Sequence, residues 1–136
     1  MNALIYTVQI MNVKQKKDTA TLEILQAIEE NKRVTQRHLA DKLEVALGLT
    51  NSYLKRCVRK GLVKIHQAPA NRYFYYLTPK GFSEKSRLTA EYLSSSFDFY
   101  RKAGNSYRDV FTKAENLGYE KVIFCGISEL TEIASL

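Results

Sequence analysis

The chain has few of the residues on which site chemistry is usually built. It has two cysteines, Cys57 and Cys125, far apart and with no partner at metal-ligand spacing. That pattern excludes a disulfide framework and a zinc ribbon, and predicts reduced, structural thiols. The only histidines are His38 and His66. Neither lies near a cysteine or a carboxylate pair at ligand spacing, so no metal is expected. The sequence contains no G-x-S-x-G, no phosphate-binding Walker loop and no H-E-x-x-H, and nothing in it asks for an enzyme. Long hydrophobic runs are also missing: none approaches the roughly 18 to 20 apolar residues of a spanning helix. The opening "MNALIYTVQIMNV" has no basic leader and runs into "KQKK", which makes a poor signal peptide and predicts a cytoplasmic protein without a membrane partner.

Acidic residues are scarce in one region. Between Lys32 and Lys80, eleven Lys or Arg stand against only Asp41 and Glu44, a local charge of +9 in a chain whose total is +7. Clustered positive charge favours a polyanion, because each neutralised phosphate releases condensed counterions. A membrane surface and a merely solvated basic face remain open on charge alone. The rest of the composition is that of a folding chain: 136 residues, 45% hydrophobic and 26% charged, with nine tyrosines, enough for one main domain.

The helical period begins at "TATLEILQAIEEN", where Leu22, Leu25 and Ile28 share a face and Asp18 or Thr19 is positioned to cap the start. Thr35 offers a second cap ahead of "QRHLADKL", with Leu39, Ala40 and Leu43 inward. In a third helix Thr50, Leu54, Cys57, Val58 and Gly61 recur at spacings of three and four, as a packing face does. The opposite face carries Gly48, Ser52, Lys55, Arg56 and Arg59, with Asn51 at its edge. Small and polar residues come first and basic ones follow. A helix entering a groove needs that order, since small residues permit close approach, amides and hydroxyls read base edges, and Lys and Arg reach phosphates.

Next, "LVKIHQ" and "RYFYYL" alternate as strands around "APAN", which predicts a β-hairpin wing. Asn71 and Arg72 fall at its tip, within reach of a minor groove; Arg72 is equally a charge that blunts an edge strand. Thr78 as cap and Pro79 just inside it start a long helix. Along that helix Leu93, Phe97, Tyr100, Gly104, Tyr107, Phe111, Ala114 and Gly118 keep a period near 3.5. The stripe predicts packing against a second copy, a homodimer, unless Gly104-Asn105 folds the helix back on itself. In the tail, "KVIFCGIS" reads as a short strand and "ELTEIASL" as a helix after it. The glycine fingerprint of a dinucleotide site is absent, so no cofactor is expected.

The stretch "VTQRHLADKLEVALGLTNSYLKRCVRKGLVKI", followed by the hairpin and "YLTPKGFSEKSRL", resembles winged helix-turn-helix regulators of the MarR type. Within that family it is most similar to the group associated with exopolysaccharide gene clusters. The resemblance runs over roughly Thr19 to Tyr100, and its most specific elements are "LGLTNSYLKR", "KGLVK" and "YLTPKGF". There are two departures: Glu44 stands where the family turn often has glycine, and Ala46 where a Ser or Thr cap is usual, a loss of roughly 1 kcal/mol. The resemblance implies double-stranded DNA binding by a symmetric dimer, with the third helix in the major groove and the wing flanking. Many relatives also answer to a small-molecule effector held between head and dimerisation helices, and the tail resembles the start of a Rossmann-like unit.

The expected fold is therefore mainly α with a small β-hairpin. It comprises an N-terminal extension (1–17), a winged helix-turn-helix domain (18–78), a dimerisation helix or helices (79–118) and a strand-helix tail (119–136). The candidate DNA contacts are Gly48, Asn51, Ser52 and Lys55 for bases and Arg37, Arg56, Arg59 and Arg72 for phosphates, completed by Thr35, Gln36 and Asn71. Leu93, Phe97, Tyr100, Tyr107 and Phe111 are the candidate dimer interface. The alternative is a winged-helix protein-interaction module that docks an acidic partner on the same basic face.

Overall fold

The computed structural model describes residues 2–126 and 128–136, with side chains from residue 13 onward except that of residue 129. The elements in order are α1 (Asn2–Glu30), α2 (Gln36–Leu43), α3 (Leu47–Arg59), β1 (Val63–Ala68), β2 (Arg72–Leu77), α4 (Pro79–Asn116) and α5 (Glu129–Ser135). They divide into two compact units, 1–90 and 91–136, so that α4 contributes to both. The expected class is borne out: a mostly helical chain with a two-stranded antiparallel wing and a long C-terminal helix. Among the described residues no helix is long and apolar enough to cross a membrane.

In the first unit, Ile24, Leu25, Ala27 and Ile28 of α1 meet Leu39 of α2, Leu54 and Cys57 of α3, Val63 of β1 and Tyr75 of β2 in one core. Leu22, expected on this face, is only half-buried because the stripe centres on Ile24 and Ile28. No cap forms at Asp18 or Thr19. The helix runs on from Asn2, since "NALIYTVQIMNVKQKKD" contains neither proline nor glycine to stop it. The chain leaves α1 through a turn in which the Arg33 amide donates to Asn31 Oδ1 at 2.9 Å. The Lys32 carbonyl then accepts from the Tyr75 amide at 3.0 Å, tying the wing to this loop.

β1 and β2 pair from Val63 opposite Leu77 to Ala68 opposite Arg72, leaving Pro69, Ala70 and Asn71 as the turn. Ala70 and Asn71 both have positive φ, at 67° and 53°. Asparagine tolerates that region; alanine does so at some cost.

Gly61 and Gly118, expected on apolar faces, are instead helix stops. Gly61 has φ 70°; its amide donates to the Val58 carbonyl at 2.9 Å and the Leu62 amide donates to Cys57 at 2.9 Å. Gly118 has φ 83° and repeats the arrangement, with its amide on Glu115 at 2.9 Å and the Tyr119 amide on Ala114 at 3.0 Å. In both, the left-handed residue turns its own amide and that of the next residue back on the last free carbonyls, a geometry that favours glycine.

The start of α4 is locked to the end of α3. The Leu62 carbonyl accepts the Thr78 amide at 3.0 Å, and Thr78 Oγ1 in turn accepts the Gly81 amide at 3.0 Å. Gly81 is buried against the same carbonyl: a Cβ there would lie 2.1 Å from the Leu62 oxygen and 3.0 Å from its carbon. Lys85 of α4 also pairs with Glu29 of α1.

In the second unit α4 continues unbroken through Gly104, so the fold-back alternative does not form. One glycine costs about 1 kcal/mol in a helix interior, too little to stop a helix of 38 residues whose neighbours propagate it. The expected strand of "KVIFCGIS" is absent from the described residues of that segment, while α5 forms as expected, with the Ser128 hydroxyl accepting the Thr131 amide. A lone strand has no partner for its amides and carbonyls, and the described residues of this unit include no second one. Phe124 lies edge-on to Phe111 instead, with centroids 6.3 Å apart.

Replacing Gly81 by alanine is expected to destabilise the fold by about 2–3 kcal/mol, because backbone rather than a yielding side chain opposes the added carbon. Equilibrium urea unfolding of wild type and variant measures this difference.

Candidate nucleic-acid interface

The α2–turn–α3 unit builds the surface. Thr35 caps α2, its Oγ1 accepting the His38 amide at 3.1 Å, so this hydroxyl is already engaged in folding. Gln36 is half-buried and Arg37 exposed on the first turn. α2 closes on Glu44, whose φ of 51° is left-handed; the Val45 amide donates to Ala40 at 3.2 Å and the Glu44 amide to Asp41 at 3.2 Å. The turn thus has the shape for which a glycine is suited, and Glu44 occupies it under strain.

Ala46 stands at the cap position ahead of α3 and makes no side-chain cap. The Ala46 carbonyl accepts the Leu49 and Thr50 amides, each at 3.0 Å, but no side chain takes up the amides of the first turn. Thr50, Leu54 and Cys57 point into the core at 0%, 2% and 1% exposure. Burial pushes the Cys57 thiol up to about 11 despite the opposing charges of Arg56 and Lys60, which makes it a structural, unreactive group.

Gly48, Ser52, Lys55 and Arg59 are all exposed and recur at spacings of four, three and four, so the structure brings them onto one face. Arg56 and Asn51 are half-buried at its margins. The row spans roughly 16 Å of helix, and a B-form major groove about 12 Å wide admits a helix of this kind. α3 contains no acidic residue, and Arg56 and Arg59 occupy its last turn, where they also offset the negative end of the helix dipole. Gly48 is open: a Cβ there would meet nothing within 4 Å, so no neighbour in the chain requires a glycine. Ser52 Oγ donates to the Gly48 carbonyl at 3.1 Å, leaving its lone pairs rather than its proton for a partner.

On the wing, Asn71 and Arg72 are exposed at the turn, and Gln67 Nε2 donates to Asn71 Oδ1 at 3.4 Å. The strand register places Lys64 opposite Tyr76 and His66 opposite Phe74 on the face away from the core. There Lys32 Nζ sits 5.2 Å from the centroid of the Tyr76 ring and the Arg33 guanidinium 5.5 Å from that of Phe74. Each pair is a cation–π contact. Lys32, Arg33 and Lys64 lie outside the contacts expected from the sequence, which reach only the tip of the wing; the alternation of "RYFYYL", which puts Phe74 and Tyr76 on one face with Arg72, is the signal that points to them. Among the described residues, no group of His, Cys, Asp and Glu gathers that could hold a metal ion.

This geometry defines a winged helix-turn-helix domain. The sequence model for winged helix-turn-helix DNA-binding proteins matches residues 17–64. Solved structures of MarR family transcription regulators share the fold. The adhesin competence repressor AdcR from Streptococcus pyogenes is 17% identical with a TM-score of 0.57, over 88% of this chain and 95% of that one. A protein described as a MarR family transcription regulator is 18% identical at TM-score 0.55, over 88% and 91%. The PcaV transcriptional regulator from Streptomyces coelicolor, solved with its natural ligand, is 18% identical at 0.54, over 71% and 70%. No curated protein matches the sequence.

Replacing Ala46 by serine is expected to stabilise the fold by about 1 kcal/mol, by supplying an acceptor to the open amides of the α3 first turn. The midpoint shift in a urea titration checks it.

Proposed function

We propose that the chain is a sequence-specific, double-stranded DNA-binding transcriptional regulator acting as a homodimer, with α3 in the major groove and the hairpin wing flanking it. The observation that carries the reading is the solvent face of α3: a glycine with open space above it, then Ser52, Lys55 and Arg59 in line, with no acid on the helix. The winged-helix sequence match and the MarR family neighbours support it. Gly48, Asn51, Ser52 and Lys55 contact bases. Arg37, Arg56, Arg59 and Arg72 contact phosphates, with Thr35, Gln36 and Asn71 beside them. Such a protein works where the chromosome is, in the cytoplasm.

Dimerisation is supported by the exposure of Leu93, Phe97 and Tyr100, at 47%, 60% and 46%. Tyr107 and Phe111, further along the same stripe, are half-buried and stack on each other at 6.3 Å. Unpaired aromatic and aliphatic side chains at coiled-coil spacing are satisfied by a second copy. The ligand held by PcaV supports a small-molecule effector here as well. Control of exopolysaccharide genes rests on the resemblance of "LGLTNSYLKR", "KGLVK" and "YLTPKGF".

Selection from a random duplex library at physiological salt, with light scattering on the same preparation, tests the reading. A two-fold symmetric site bound by a dimer is expected; salt-sensitive binding without preference would turn the basic face into a docking surface for an acidic protein. On the selected site, Lys55→Ala is expected to cost about 1–3 kcal/mol and to relax preference at one position. Arg59→Ala should weaken all duplexes alike and reduce the salt slope by about 1. Phe97→Glu is expected to shift the light-scattering mass toward the monomer.

A further inference from the structure

The tip of α3 carries an apolar side chain that neither folding nor phosphate binding explains. Leu49 is 45% exposed, while the core side of the helix is served by Thr50, Leu54 and Cys57. On the helical period Leu49 shares a flank with Ser52 and Arg56, and so borders the face formed by Gly48, Ser52, Lys55 and Arg59. The polar groups around it are partly spent. Thr50 is buried and donates its hydroxyl proton to the Ala46 carbonyl at 3.2 Å, Ser52 donates its own to Gly48 at 3.1 Å, and Asn51 is half-buried. Gly48, the preceding residue, has open space where a side chain would stand. A surface that approaches this end of the helix therefore meets backbone and two exposed leucines, Leu47 at 48% on the flank of Asn51 and Leu49 at 45% on the flank of Ser52 and Arg56, and of the two only Leu49 leads toward the anchoring Arg56.

We propose that Leu49 is a specificity-determining residue that packs on the C5-methyl group of a thymine in the major groove, so that each half-site requires T·A at that position. The proposal rests on the DNA-binding reading above and deepens it. Among the four unmodified bases only thymine presents a methyl group on its major-groove edge; the others present donors and acceptors that a leucine would desolvate without pairing. Phosphates are no substitute, because an aliphatic side chain gains nothing from them. The cations at positions 55, 56 and 59 follow Leu49 along the helix, so apolar readout at the tip is joined to backbone anchoring behind it.

The test uses the duplex enriched by selection, with each thymine of the half-site replaced in turn by deoxyuridine, which removes only the methyl group. Wild type and Leu49→Ala are titrated on each duplex at one fixed salt concentration. At one thymine, wild-type binding is expected to weaken about fourfold per half-site, the factor for one buried methyl group. Leu49→Ala should bind the thymine and uracil forms of that duplex equally. If no thymine is sensitive, or if Leu49→Ala keeps the same sensitivity, the proposal is overturned while specific DNA binding stands. If the library yields no preferred duplex, both fall together. The uracil series on wild type needs no substituted protein, so misfolding of the variant cannot imitate a negative result.

Discussion

The carbonyl of Leu62 joins three elements at one point. α3 ends by turning through Gly61 so that the Leu62 amide returns to Cys57, and the same residue's side chain enters the core at 2% exposure. Its carbonyl then receives the Thr78 amide and lies against Gly81, while Val63, the next residue, begins the wing. The end of α3, the root of the hairpin and the entry of α4 thus meet at one residue, through the two peptide units that flank its Cα. Its surroundings admit little freedom: a left-handed glycine on one side and a glycine without room for a Cβ on the other.

Basic and apolar side chains occupy opposite ends of α3. The basic residues lie toward its C-terminal end, where they complement the helix dipole and add counterion release if a polyanion is bound. The N-terminal end carries Leu47, Gly48 and Leu49 with no acid and no side-chain cap. A helix start of this composition is poor for stability in isolation: it leaves amides open, keeps a flexible residue and exposes leucine to water. The neighbouring turn adds strain at Glu44. Local cost concentrated at the tip of one helix is what a surface shaped for something outside the chain displays.

Charge and turn chemistry make much of the winged domain legible in the sequence. The Thr35 cap, the start of α4 at Thr78 and Pro79, and the pairing of two strands about a turn at Asn71 all came from residue types whose backbone preferences are strong. The core row Thr50–Leu54–Cys57 came from spacing alone. The errors have equally local causes. The helical spacing runs through Gly61 and Gly118, but a glycine at that spacing resembles a small packing residue and only its positive φ marks it as a stop. Thr19 ahead of an apolar run reads as a helix start, yet the preceding residues are helix-compatible and α1 passes through it. "KVIFCGIS" read as a strand on composition, but strands depend on a partner that composition does not reveal.

By itself, the sequence determined the class of fold, the positive face and the order of small, polar and basic residues along α3, because helical period and charge are properties of neighbouring positions. Tertiary structure alone decided what those positions do. It required glycine at Gly81 and left Gly48 open, although nothing in the two local sequences distinguishes a close approach from free space. It brought Lys32 and Arg33 over the rings of Tyr76 and Phe74, more than forty positions away in the chain. Contacts between distant segments depend on which backbone passes which, and that is settled only when the core has closed around Ile24, Leu54 and Tyr75.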